Sequence, residues 1–78
     1  MYTVIGIERK RGTYEGRAYD NTIVHATYEK ASNENVTVNG QCVVTFKSKT
    51  EVAQGICLGD LVSPLYDRYG NVVKYDLA

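Results

Sequence analysis

Residues 41–48 read "QCVVTFKS" and put Cys42, Val44 and Phe46 on one side of an extended chain and Val43, Thr45 and Lys47 on the other. That two-residue period belongs to a half-buried strand. Four other stretches share the composition: "YTVIGIERK" (2–10), "AYDNTIVHATYE" (18–29), "DLVSPLYD" (60–67) and "NVVKYDL" (71–77). β-branched and aromatic residues dominate all five, so the chain is expected to be all-β. The single candidate for a helical turn is "KTEVAQGIC" (49–57), which Gly55 ends, between strands 3 and 4.

The breaks are as legible as the strands. "RGTYEGR" carries two glycines, and "KASNENVTVNG" (30–40) is polar and ends in Asn-Gly, a hairpin signal. "DRYGN" (67–71) reads as a tight turn with Gly70 left-handed. Pro64 inside the fourth run points to an edge or a bulge, because proline has no amide hydrogen for a ladder.

Seventy-eight residues make a single domain, 1–78. Five strands of this length are too few for a full two-layer sandwich, but they can curl into one small barrel. An SH3-like barrel is one solution and a five-stranded Greek-key OB barrel the other. Long first strands able to serve both halves, Gly6 at a sharp coil and the turn between strands 3 and 4 all favour OB. Val4, Val24, Val44, Phe46, Leu61 and Val73 are the expected core. A core this small gains from pairing, so a homodimer is expected.

Catalysis is not expected. There is one histidine, His25, and no phosphate loop; "GTYEG" lacks the lysine and helix such a loop needs. A site on His25 and Asp20 is the weakest reading. Cys42 and Cys57 match no metal spacing and read as small buried thiols in a reducing compartment, with a disulfide between them left open. No metal or other cofactor is implied. The apolar run in the opening "MYTVIGIERK" is too short and lacks a basic front, so neither a signal peptide nor a membrane span is expected there and a cytoplasmic protein is expected.

Binding fits the residues better. Seven of the eight aromatics are tyrosine, whose hydroxyl needs water or a partner, so several rings belong at the surface. In an OB barrel the first and last hairpin loops flank the face floored by strands 2 and 3. Arg9, Arg11 and Arg17 with Tyr14 and Tyr19, then Lys47 and Lys49, then Arg68 and Tyr69 would meet there, with His25 on the same face. Rings beside cations suit unpaired bases and their phosphates. Nine basic and nine acidic residues cancel, which counts against tight duplex binding. Residues 1–19 nevertheless carry two net positive charges and residues 50–78 two net negative ones.

"EGRAYDN" (15–21) is similar to a glycine–basic–proline–tyrosine run, and "YGNVVKYDL" (69–77) to a glycine-containing final hairpin, in one family. On these the chain resembles the small single-stranded-DNA-binding proteins of filamentous phages, the helix-destabilising or gene V type, and similar proteins of mobile elements. The resemblance implies an OB barrel, a homodimer, sequence-independent coating of single-stranded DNA (with RNA left open), base stacking by Tyr19 and a phosphate contact from Arg17. Ala18 stands where the family often has proline. The alternative is a β-barrel module that recruits protein in a phage or conjugative element.

Overall fold

In a computed structural model describing residues 1–78, the chain forms five antiparallel strands: β1 (Tyr2–Tyr14), β2 (Arg17–Tyr28), β3 (Cys42–Lys49), β4 (Leu61–Tyr66) and β5 (Val72–Leu77). They make one sheet in the order β3-β2-β1-β4-β5. The expected all-β class holds, while closure into a barrel does not. β3 and β5 are the two edges, and no ladder joins them. Their Phe46 and Tyr75 rings meet edge to face at 6.3 Å instead, standing in the seam that a ladder would close. No helix is long and apolar enough to cross a membrane.

β1 and β2 are the two longest strands, as the sequence suggests, but they do not wrap around both halves of a barrel. β4 begins level with Thr3. The amide of Val4 donates to the Asp60 carbonyl just beyond (2.9 Å), and past that point β1 has β2 as its only strand neighbour. β3 in turn covers β2 only as far as Asn21, opposite Lys49. The rest of the β1–β2 pair stands out as a bare two-stranded ribbon, and the molecule is 50 Å long but only 26 and 23 Å across. The charges of "ERKR" explain why: no apolar stripe continues along the ribbon to be covered.

Local chemistry sets the irregularities. The β1–β2 register shifts between Val4 and Gly6, so the expected coil at Gly6 is a bulge. The chain reverses over Glu15 and Gly16 alone, both left-handed (φ 50° and 76°), the pattern of a two-residue type I′ hairpin. β1 therefore runs through Gly12 to Tyr14, where the sequence suggests a longer loop. Asn39-Gly40 makes no hairpin. The β2–β3 pair already ends at Tyr28 and Cys42, and the connection folds on Asn33, whose side chain accepts from the amides of Asn35 and Val36 (2.9 Å each). Segment 49–57 forms successive turns rather than a helix. Val52 donates to the Lys49 carbonyl (3.0 Å), and Ala53 to that of Thr50 and Ile56 to that of Ala53 (3.2 Å each). With left-handed Gly55 following, too few residues remain to offset helix nucleation.

Turn 67–71 is as expected. Asp67 accepts from the amides of Tyr69 (2.8 Å) and Asn71 (2.9 Å), and Gly70 is left-handed (φ 83°). Pro64 also sits where its missing amide is harmless. Ala78 donates to the Leu61 carbonyl (3.0 Å), so by alternation the β4–β5 bonds fall on Leu61, Ser63 and Leu65. The nitrogen of Pro64 then faces the side where the β1 ladder, confined to Leu61 and Val62, does not reach.

Val4, Val24, Ala26, Phe46, Ala53, Val62, Val72 and Tyr75 make the core, with Tyr2 and Val44 packed against it. The expected set is right on β1, β2 and β3 and one residue out of phase at the end of the chain. Leu61 and Val73 are 45% and 51% exposed, and Val62 and Val72 point inward in their place. Three tyrosines contribute rings to this interior: Tyr2 meets Tyr28 at 5.6 Å and Phe46 at 5.0 Å, and Phe46 meets Tyr75. Burial pushes the Tyr75 phenol above its ordinary pKa. Its hydroxyl makes no hydrogen bond that meets ordinary geometry, and the Ser48 hydroxyl donates to the Lys49 carbonyl (3.0 Å).

Candidate nucleic-acid interface

Strand parity sorts the candidate residues. Thr22, Val24 and Ala26 of β2 are buried, so Tyr19, Asn21, Ile23 and His25 point to the opposite, outer face. Cross-strand pairs share a face. Asn21 lies opposite Lys49, and Ile23 opposite Lys47. Across β1, Gly12 lies opposite Tyr19, Tyr14 opposite Arg17, and Lys10 opposite Asn21. The outer face therefore holds Tyr14, Arg17, Tyr19, His25, Lys47 and Lys49, with Lys10 added. Arg17 and Lys47 are six β2 positions apart, a span of about 20 Å. Lys10 is absent from the sequence candidates although it alternates correctly with Gly12 and Tyr14; taking residues 11–17 as a loop hid that alternation.

Arg9 and Arg11 belong to the other face. Arg11 lies opposite Asp20 and Arg9 opposite Thr22. The Arg9 guanidinium grips Asp20 with two hydrogen bonds (2.6 and 3.0 Å). The Thr50 hydroxyl also donates to Asp20 (2.5 Å), and that of Thr22 donates to Thr50 (2.9 Å). Arg9 and Thr50 hold the Asp20 carboxyl far below the usual carboxylate range, and the same bonds raise Arg9. This cluster ties the base of the ribbon to the turn after β3. His25 and Asp20 thus stand on opposite faces of β2 and share no site. On the outer face His25 Nε2 lies 2.5 Å from Glu8 Oε1, and its ring rests 3.6–3.8 Å from where a Gly6 side chain would begin.

The rings differ in availability. Tyr14 is 71% exposed at the ribbon tip. Tyr19 lies over Gly12, so closely that a methyl group there would come within 2.6 Å of its hydroxyl. The glycine makes room for the ring, a cross-strand device that also shields bare backbone. Tyr69 is 73% exposed, with the Arg68 guanidinium 5.0 Å from its ring centre. Lys10, Arg17, Lys47 and Lys49 make no ion pair; the ion pairs are Arg9–Asp20 and Lys74–Asp76, beside the His25–Glu8 contact.

A groove of about 900 Å³ runs along the open β3–β5 seam. Lys47 and Lys49 border it on β3 and Asp67, Gly70 and Asn71 on the last turn, while Val52, Val72, Val73 and Tyr66 supply apolar wall. The β4–β5 turn therefore sits beside the lysine end of β3. Tyr66, half exposed and in this groove, is a second residue the sequence reading missed. Cys42 and Cys57 are unpaired, and Cys57 is exposed, against the expectation of two buried thiols. No group of histidine, cysteine and acidic side chains could hold a metal ion. No family model, curated protein or solved structure matches the chain.

Proposed function

We propose that this protein binds single-stranded DNA without regard to sequence along most of its contact, and does no chemistry on it. One observation carries the reading: four unpaired cations (Lys10, Arg17, Lys47, Lys49) and two tyrosines (Tyr14, Tyr19) from three strands share one uncovered face. The cations contact phosphates and the rings stack on bases, each stacked base contributing about 1–3 kcal/mol. Arg9 and Arg11 are left out of this surface. The strand order is read as an OB-type barrel left open between β3 and β5, and two copies are read as pairing to supplement a core of eight buried residues. A protein-binding module is the second reading, favoured by Leu61 and Leu65, exposed on the same side of β4.

Tyrosine fluorescence during titration with poly-dT at low salt tests the proposal. Quenching is expected for the native chain and is expected to disappear in the Tyr14→Ala, Tyr19→Ala double variant. Unchanged fluorescence together with no gel shift would transfer the surface to the protein-binding reading.

A further inference from the structure

The groove along the β3–β5 seam has contents that the outer face lacks, and its width limits its occupant. β3 and β5 approach to within 8 Å between Cα atoms. Admitting another strand between them needs two strand spacings, about 9.6 Å, which the seam lacks where the two strands are nearest. A flat ring about 3.4 Å thick, the stacking rise of a base, needs far less. Volume agrees, since about 900 Å³ is within the range of small-ligand clefts. Charge points the same way: Lys47 and Lys49 on one wall have no acidic partner and suit the phosphates of a strand whose base turns inward.

Asp67 gives the opposite wall its chemistry. Its Oδ1 accepts from the amides of Tyr69 and Asn71 (2.8 and 2.9 Å), which fixes the side chain. Its Oδ2 has a single long contact, 3.4 Å from Asn71 Nδ2, so acceptor capacity is left over. Amide donors, that of Asn71 first, hold this carboxyl below its ordinary pKa, and an ionised carboxylate accepts only. Such a group welcomes an N–H₂ and repels a carbonyl oxygen.

We propose that this groove, on the single-strand reading above, is a slot for one base of the bound strand, and that Asp67 makes it favour bases with an exocyclic amino group over thymine, which has none. Tyr66 and the valines pack the ring, Lys47 and Lys49 hold its flanking phosphates, and Asp67 Oδ2 accepts from the amino group. Stacking on the outer face tolerates every base, so any preference originates in the slot.

Competition between oligo-dC and oligo-dT of equal length reads this directly. The native chain is expected to hold oligo-dC about fivefold or more tightly than oligo-dT, a modest return for one charged base contact. Asp67→Asn keeps the Oδ1 acceptor that caps the turn and puts an amide donor in place of Oδ2, so the ratio is expected to fall to one or invert. Equal affinity of the native chain for both oligonucleotides, with both still lost in the Tyr14→Ala, Tyr19→Ala variant, overturns the slot and leaves the single-strand reading standing. Binding to neither overturns both. A readout without mutation is the amide spectrum of the native chain titrated with dCMP and with dTMP. Shifts at Gly70, Asn71 and Val73 that are larger with dCMP are expected; shifts confined to Tyr14–Tyr19 overturn the slot.

Discussion

Asp20 shows how one carboxylate settles the fate of several basic residues. Four basic side chains crowd residues 9–17, and composition alone makes them equivalent. Alternation separates Arg9 and Arg11 from Lys10 and Arg17, and Asp20 then claims Arg9 through two hydrogen bonds. The carboxyl is held ionised far below its ordinary range. Its contribution to stability is therefore complete above the usual carboxylate pKa and is lost as pH falls through the lowered folded value. Carboxyl carbon shifts are expected to show Asp20 still charged at pH 3. In Arg9→Ala its midpoint should rise toward about 3.9, the unperturbed value. The gap in melting temperature between native and variant should be small, as for exposed pairs, widest near neutrality and absent in strong acid. An unchanged Asp20 midpoint in Arg9→Ala would contradict this account.

At the scale of elements, the five runs of strand composition become five strands, while phase and closure follow local detail. In "DLVSPLY" the apolar residues are adjacent as well as alternating, so Leu61 and Val62 compete for the interior. The short β1–β4 ladder decides: Tyr2 turns inward to Phe46 and lies opposite Val62, which must turn inward with it. Val73 loses its place to the register shift between Leu65 and Tyr66, where Tyr66 pairs with Val72. Val62→Ala is expected to cost about 2–3 kcal/mol, two buried carbons plus the cavity they leave, whereas Val73→Ala should stay within about 0.5 kcal/mol. Urea denaturation separates the two, and the opposite order would restore the phase read from the sequence. For a domain of this size, with about 4–12 kcal/mol in total, the first loss is a large share.

The whole molecule is neutral, yet its cations are not evenly placed. Basic residues gather on a ribbon and one sheet face, while acidic ones predominate in residues 50–78. A neutral chain can then bind a polyanion through a local field, with an affinity that depends on how many phosphates it neutralises. For a single strand each neutralised phosphate adds about −0.7 to the slope of log affinity against log salt. Lys10, Arg17, Lys47 and Lys49 together give a slope of about −3, and Lys47→Ala should reduce it to about −2. Arg9→Ala should leave the slope unchanged, because that side chain is on the other face. A slope near zero, or one reduced as much by Arg9→Ala as by Lys47→Ala, would contradict the assignment of faces.

What the residues determined unaided is everything that depends on neighbours in the chain: the β class, the five runs, an irregularity at Gly6 and the tight turn at 67–71 with Gly70 left-handed. Each follows from a two-residue period or from a backbone angle that few side chains tolerate, and both are local. Tertiary structure alone decided which residues face each other across strands. It stopped β4 level with Thr3, so most of β1 was left with β2 as its only strand neighbour. It filled the seam with Phe46 and Tyr75, so the sheet did not close, and it placed Tyr66 and Asp67 beside Lys47 and Lys49. Those outcomes depend on ring volume and strand register between segments seventeen or more residues apart, which no short window of sequence encodes.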